Sequence, residues 1–169
     1  SGTLLLVGGG TSSGSFTGAA GTTLNFGGGT HTLSAASSVT NPNTTFSGGT
    51  ANLAGDYNVT GTTLVSGGTA NLTGTLASIG TLLNITSGTA NLSGSNTSVA
   101  AYTQSGGTLT GSGTVTVSGG TAWSGGTMSG TGSTTSSGAL TLSGAGDKLL
   151  TARTLNTAGA TTWSAGRLR

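Results

Sequence analysis

The side chains that could support acid–base or nucleophilic chemistry are few in this chain. The sequence contains two carboxylates, Asp56 and Asp147, one histidine, His31, and no cysteine. A glycosidase needs two carboxylates within roughly 5–10 Å of each other, and a serine hydrolase needs a carboxylate beside its histidine. Whether either arrangement forms depends on how the fold spaces these three residues, so the organisation of the chain has to be established first.

A Gly-Gly-Thr signature recurs through the sequence. Its threonines follow one another at intervals of 19 or 20 residues, and two further steps of 20 reach Asp147 and Arg167, which keep the preceding glycine. The signature threonines are Thr11, Thr30, Thr50, Thr69, Thr89, Thr108 and Thr127. Fixed-period repeats of this length are typical of solenoid proteins. We therefore predict about nine stacked coils of 19–20 residues in a single domain, residues 1–169.

Large apolar residues occupy a fixed place in this repeat. Seven of the nine residues that stand four positions before the signature are large and apolar, and around them apolar residues alternate with Thr, Ser or Asn. The nine are Val7, Phe26, Phe46, Val65, Ile85, Gln104, Trp123, Ser143 and Trp163. A period of two is typical of strands with one buried face. We therefore expect Phe46, Val65 and Ile85 to belong to one interior row.

The repeat length accommodates three short strands joined by glycine-rich corners, where glycine adopts a positive φ without a Cβ clash. We predict an all-β fold, a triangular parallel β-solenoid in which like residues stack at about 4.8 Å. Nine such coils would form a rod about 43 Å long. Because parallel crossovers are generally right-handed, we expect a right-handed parallel β-helix.

The repeat predicts an amide ladder on the outer surface. Asn52, Asn71 and Asn91 each lie two residues after the signature threonine in three successive coils. Stacked asparagines form such hydrogen-bonded ladders in cross-β assemblies.

The repeat also predicts an irregular coil near the C-terminus. Asp147 and Arg167 share one column on adjacent coils, so they can form an ion pair if both point outward. Lys148 falls in an otherwise inward column. We expect either that Lys148 extends its amine to the surface or that an inserted residue produces a bulge within residues 144–148.

This organisation keeps the reactive side chains apart. Asp56 and Asp147 fall four to five coils apart, roughly 20 Å or more, so no acid pair can form within one chain. His31 falls in the column of Ala51 and Ala70, which favours a structural histidine. The segment around Asp147 resembles one degenerate copy of a calcium-binding repeat, whereas such a site takes ligands from two turns. We predict that the chain is not an enzyme and has no catalytic, cofactor-binding or metal-binding residues.

Composition narrows the possible functions further. Only 4% of the residues are charged, the net charge is +2, and all four cations lie in the last 22 residues. A nucleic-acid-binding protein needs a dense basic patch, so we expect no nucleic-acid partner. The longest aliphatic run, Leu4 to Val7, is far too short to span a membrane. The absence of cysteine excludes disulfides and thiolate metal sites.

The repeat resembles the passenger repeats of filamentous-haemagglutinin-type adhesins and autotransporters, which are Gly/Thr/Ser/Asn-rich with Val, Leu or Phe at alternate positions. The stretch Ser66 to Gly74, SGGTANLTG, is the most similar to that family. The resemblance implies a right-handed parallel β-helix that a bacterium secretes or displays on its surface. It transfers no functional residue, because these families share a repeat and not a site.

These observations favour a structural repeat segment of a secreted or cell-surface fibre or adhesin, located extracellularly. The sequence starts inside a repeat, so we expect either an excerpt of a longer chain or a filament-forming unit. The expected partners are further coils or further copies of the chain, stacked end to end, and possibly host or matrix glycans.

Two alternatives involve binding by a flat face of the solenoid. A carbohydrate- or surface-binding module could stack sugars on exposed aromatic residues, of which Tyr57, Tyr102, Trp123 and Trp163 are the candidates. The inward column of the two tryptophans argues against this. An ice-binding face would need regular outward ranks of threonine, and only one such rank is regular in the sequence.

Overall fold

The computed structural model describes all residues, 1–169, as a stack of parallel strands without any helix. No helix is therefore present that could cross a membrane. Each turn of the chain passes through three short strands, and strands from successive turns pair side by side to form three faces. The predicted all-β parallel solenoid is confirmed.

The first face contains nine strands in chain order along the rod. They are β1 (Thr3–Leu6), β4 (Thr23–Phe26), the C-terminal part of β6 (Ser38–Phe46), the C-terminal part of β8 (Asp56–Val65), β11 (Leu82–Ile85), β14 (Ala101–Gln104), β17 (Thr121–Trp123), β20 (Leu140–Leu142) and β23 (Thr161–Trp163).

The second face also contains nine strands. They are β2 (Gly10–Ser12), β5 (Thr30–Leu33), β7 (Thr50–Leu53), β9 (Thr69–Leu72), β12 (Thr89–Leu92), β15 (Thr108–Thr110), β18 (Gly126–Ser129), β21 (Asp147–Thr151) and β24 (Arg167–Leu168). Nine strands on each of two faces correspond to about eight turns of the chain, so the predicted number of coils was slightly too high.

The third face is divided into two parts. In the first part, β3 (Ser15–Thr17) and β10 (Leu76–Ile79) flank the N-terminal halves of β6 and β8. The second part is a separate four-stranded sheet of β13 (Thr97–Val99), β16 (Val115–Val117), β19 (Ser133–Ser136) and β22 (Thr154–Thr157). At the division, the Leu76 amide donates to the Ser95 hydroxyl at 2.8 Å instead of to a strand carbonyl.

The interior row of large residues exists as the alternation predicted. Phe46 pairs with Val65, and Val65 pairs with Ile85, at equivalent positions of neighbouring strands. All three are fully buried. The Phe26 and Phe46 rings stack with centroids 5.3 Å apart and planes inclined by 7°. This row belongs to one continuous core of 27 buried apolar residues.

The row is displaced at two coils. Leu6 pairs with Phe26, and Leu142 lies between Trp123 and Trp163, so the predicted members Val7 and Ser143 were wrong. Both predictions placed a residue one position too far along the chain. The structure puts a leucine in the interior in each case, because the corner that follows is longer than the repeat signature implies.

The register of the second face is regular in the middle and shifted at both ends. From Thr30 to Thr127 each signature threonine pairs with the next one, as predicted. Thr11, however, pairs with Thr32 and not with Thr30. At the other end, Thr127 pairs with Leu149 and not with Asp147. The predicted insertion near residues 144–148 is confirmed, and it shifts the register by two residues.

Glycine is required at the corner that leads into the second face. Gly68 has a φ of 60°, and a Cβ at this position would overlap the carbonyl oxygen of Gly49 in the coil below. Any other residue would combine an unfavourable left-handed backbone with that overlap. The tight corner therefore explains why the Gly-Gly-Thr signature repeats with the coil.

The third face contains Tyr57 in its interior. Tyr57 pairs with Val39 and is fully buried. The register between β6 and β8 shifts between Asn41 and Asn43, where Pro42 provides no amide donor for the ladder. Because of this irregularity, Val39 opposes Tyr57 and not Val59, as the repeat alignment had suggested.

Candidate functional site

His31 is a structural residue of the solenoid interior. It lies on β5, pairs with Ala51 and is 7% exposed. Its Nε2 atom is 2.9 Å from the carbonyl oxygen of Gly28, and its ring packs against the edge of Phe26 with centroids 5.4 Å apart. The histidine therefore packs against an aromatic ring and a backbone carbonyl, as its column predicted, and no carboxylate contacts it.

The two carboxylates lie on different faces. Asp56 opens β8 on the third face, where it pairs in register with Ser38. Asp147 opens β21 on the second face and forms ion pairs with Arg169, at 3.0 Å, and with Arg167, at 3.9 Å. The predicted pairing of Asp147 with Arg167 is confirmed. Because the three side chains are largely exposed, each pair contributes roughly 0–1 kcal/mol.

Lys148 lies in the interior and not at the surface. The side chain is 1% exposed. Its ammonium group donates to the carbonyl oxygens of Gly144 and Gly146, both at 3.2 Å, and of Ala165, at 3.3 Å. The bulge in residues 144–148 bends the backbone so that these carbonyls point inward. The predicted bulge is therefore what provides the ligands for the buried amine.

Arg153 is a second buried cation, and sequence reasoning did not single it out. The side chain is 4% exposed and donates hydrogen bonds to five oxygens on successive coils. These are Thr134 Oγ1 at 2.9 Å, Ser133 O at 2.8 Å, Gly113 O at 3.1 Å, and Gly111 O and Ser129 O at 3.4 Å. Burial lowers the pKa of the guanidinium from its ordinary value, and Tyr102 opposes that effect. The arginine links three coils from within.

The residue before Arg153 explains how the side chain turns inward. Ala152 has a φ of 59°, the only non-glycine residue of the chain with a positive φ. Such a backbone is unfavourable for alanine and persists only when the surrounding contacts enforce it. The hydrogen bonds of Arg153 supply that enforcement. The available signal in the sequence was an isolated arginine in a chain almost without charge.

The interior also contains two tyrosines with hydrogen-bonded hydroxyls. The hydroxyl groups of Tyr57 and Thr63 are 2.9 Å apart, and burial raises the pKa of Tyr57 to about 12. Tyr102 donates to Gln104 Oε1 at 2.6 Å, and burial raises its pKa well above the ordinary value of a phenol. Gln104 in turn donates to the carbonyls of Gly107 and Thr127. These groups satisfy one another and leave no reactive site.

The aromatic residues considered for sugar stacking are mostly inaccessible. Tyr57, Tyr102 and Trp123 are fully buried, so the prediction that they could be exposed was wrong. Only Trp163 presents its ring to solvent, with 63% of the residue exposed in the last coil. Its indole N–H donates to the Ala165 and Gly166 carbonyls, which fixes the ring orientation.

The outer side of the second face has the most regular arrangement of polar side chains. Two adjacent rows run along β5, β7, β9, β12 and β15, and we call them the Thr/Asn surface. The rows are Thr30, Thr50, Thr69, Thr89 and Thr108, and Thr32, Asn52, Asn71, Asn91 and Thr110. All ten side chains are uncharged and partly or fully exposed.

The predicted amide ladder stabilises the centre of this surface. Asn71 Nδ2 donates to Asn52 Oδ1 at 2.8 Å, and Asn91 Nδ2 donates to Asn71 Oδ1 at 3.1 Å. Since each carboxamide is fixed by its neighbour, the remaining N–H and C=O groups point in the same direction in successive coils. The surface is therefore flat and ordered.

A cavity of about 380 Å³ opens at the first coil, at the corner between the third and first faces. Its apolar wall is formed by Leu4, Phe16 and Leu24, and Asn41 contributes the amide. These residues belong to interior rows that no further coil covers in this chain. No cluster of three or more potential metal ligands occurs in the structure.

Comparison with protein-family models, with curated proteins and with solved structures finds no match to this chain. The resemblance to filamentous-haemagglutinin-type repeats therefore remains a prediction from the repeat sequence, and functional arguments must come from the geometry.

Proposed function

We propose that this chain is a structural repeat segment of a secreted or cell-surface fibre or adhesin. In this role it acts as a stiff rod and not as an enzyme. One observation carries the proposal: the same interior rows and the same backbone ladder continue through about eight turns. His31, Lys148 and Arg153 meanwhile direct their polar atoms to backbone or side-chain oxygens of the solenoid itself.

A structural rod can lose one coil without losing its fold. Removing residues 70–89 joins Thr69 to Ala90, because Thr69 and Thr89 occupy equivalent positions on adjacent coils. Each remaining coil keeps the type of neighbour that stabilised it, since solenoid stability is a sum of coil and nearest-neighbour contributions. We expect small-angle scattering to show the same cross-section and a rod about 4.8 Å shorter.

The matched control removes only residues 70–79, half a coil. This deletion places second-face residues on the third face and should unfold the chain or expose its core. A rod that collapses equally in both variants would contradict the modular account. For the location, antibodies raised against the chain should label intact source cells or their medium, and labelling confined to lysed cells would contradict an extracellular role.

A second candidate, a surface-binding face, is favoured by the Thr/Asn surface alone. Its flat and uncharged rows repeat at the strand spacing of about 4.8 Å, so they suit a ligand that itself repeats, such as a crystalline polysaccharide or ice. Thr69→Lys with Thr89→Lys should abolish binding to insoluble polysaccharide or thermal hysteresis. Thr116→Lys on the third face is the control. If the unsubstituted chain shows neither activity, this candidate is rejected.

A further inference from the structure

The exposed large apolar side chains of this molecule are confined to its two ends. Six such residues are at least 41% exposed: Leu4, Leu5 and Val7 in the first coil, and Leu149, Trp163 and Leu168 in the last two. Between them the rod keeps every large apolar residue at least partly covered. Since the exposure is restricted to the two coil ends, it marks surfaces that lack a neighbour.

The same ends contain the unpaired strand edges. Strands β1, β2 and β3 have a hydrogen-bonded partner on one side only, and so do β22, β23 and β24. Open edges are templates for pairing with another chain. The low net charge of +2 adds little repulsion between copies.

We propose that these two ends bind each other, so that a second copy of this chain docks head to tail on the last coil. The inference rests on the proposed structural role and specifies its partner. The joint would continue the coil-to-coil interface that the chain already repeats internally. Docking two like ends would superimpose the second face of one copy on the third face of the other, and the interior rows would not match.

Continuity of the rows sets the register of the joint. The interior row passes through Trp123, Leu142 and Trp163. The next member would be Leu6 of the second copy, the residue that stacks on Phe26 within a chain. The outward neighbours at the joint are then Thr162 and Leu5 of the second copy.

The first and second faces would form the joint, and the third face would not. Along the chain, β22 precedes β23 and β24, whereas β3 follows β1 and β2. The docked copy would therefore hold its β3 two coil heights from β22, or about 9.6 Å by the strand spacing. The apolar cavity beside Phe16 lies at this incomplete corner.

Disulfide trapping tests the proposed register directly, because the chain has no cysteine of its own. In the variant Leu5→Cys/Thr162→Cys, the two sulfur-bearing positions would be one strand spacing apart, within the 4.4–6.8 Å range of Cα separations in disulfides. Mild oxidation should give a ladder of linked oligomers, with peptide mass spectrometry identifying a bond between positions 5 and 162.

The variant Thr17→Cys/Asn156→Cys is the matched control on the third face. Its positions would be about 9.6 Å apart at the joint, beyond the reach of a disulfide, so it should give at least tenfold less ladder. Equal ladders from both variants would indicate random collision and overturn the proposal. Links between two positions 5, or between two positions 162, would overturn it by showing like-end docking.

A second measurement uses the chain without cysteines. Sedimentation velocity should show concentration-dependent assembly, and Trp163→Lys should weaken it at least tenfold while leaving the circular dichroism of the monomer unchanged. A chain that stays monomeric at high concentration overturns the head-to-tail joint but leaves the rod role intact, since the coil-deletion experiment on monomers tests that role separately.

Discussion

Arg153 is the residue whose removal should affect the solenoid most strongly. Its guanidinium donates to oxygens on three coils. In Arg153→Met these oxygens lose their donors inside the rod, and an unsatisfied buried acceptor costs about 1–3 kcal/mol. We expect a loss of about 3 kcal/mol or more in the stability of the last three coils. Native-state hydrogen exchange, which resolves local stability, is the appropriate measurement.

Arg167→Met is the control for that substitution. The Arg167 side chain is 71% exposed, and its ion pair with Asp147 is 3.9 Å long. The same chemical change should therefore leave exchange rates within about 0.5 kcal/mol of the original, as for an exposed residue. If the two variants exchange alike, Arg153 does not link the coils.

The buried tyrosines predict how the chain responds to alkaline pH. The ordinary pKa of a tyrosine is about 10, and burial raises the pKa of Tyr57 to about 12 and that of Tyr102 further. Between these pH values the folded state holds protons that the unfolded state has released. Stability is therefore fully present below pH about 10 and falls as the pH rises from about 10 towards 12.

Ultraviolet absorption of the phenolate measures this directly. No ionisation should appear near pH 10, and both tyrosines should ionise together when the chain unfolds at higher pH. A reversible titration of even one tyrosine near pH 10, with the fold intact, would contradict the burial of that residue.

The sequence was informative about residues that share a column and silent about isolated ones. His31 was assigned to the interior because alanines occupy the same place in the next coils. Arg153 has no such counterpart, and its inward orientation depends on the positive φ of Ala152, which nothing in the residue type indicates. Tyr57 was missed because the register shift at Pro42 is a property of the paired strands.

At the level of the strand, the amide ladder makes a graded prediction. Asn71 both donates and accepts within the ladder, whereas Asn52 only accepts from its neighbour there. Since a hydrogen bond contributes about 0.5–1.5 kcal/mol net, Asn71→Ala should destabilise the second face about twice as much as Asn52→Ala. Hydrogen exchange of β9 and its neighbours checks the order. Equal effects would indicate that solvation, and not the ladder, stabilises these side chains.

The register of the strands could be predicted only where the signature is unambiguous. From Thr30 to Thr127 the corners have one form, and the pairing followed. At the N-terminal end three consecutive glycines, residues 8–10, precede Thr11, so the corner can be placed in more than one way. A shift of two residues preserves the inward and outward alternation of a strand. The hydrophobic pattern therefore could not reveal the shift at either end.

For the whole molecule, the fold followed from the repeat, but the distribution of polarity inside it did not. The first half of the core is built around Phe26, Phe46 and Tyr57, whereas the second half contains Gln104, Lys148 and Arg153. The two cations lie without a carboxylate partner and are satisfied by oxygens of the backbone and of Thr134. Such carbonyls become available only where corners bend inward, which is a consequence of the assembled coil.

The central claim is that equivalent residues of successive repeats lie above one another along one axis. Thr30 and Thr127 are separated by five printed steps of the same outward row, through Thr50, Thr69, Thr89 and Thr108. Spin labels on Thr30→Cys/Thr127→Cys measure this separation by pulsed electron resonance, with no other cysteine to interfere. The solenoid predicts a narrow distribution centred near 24 Å, five strand spacings. A broad distribution, or a narrow one at a clearly different distance, would contradict the stacked-coil structure.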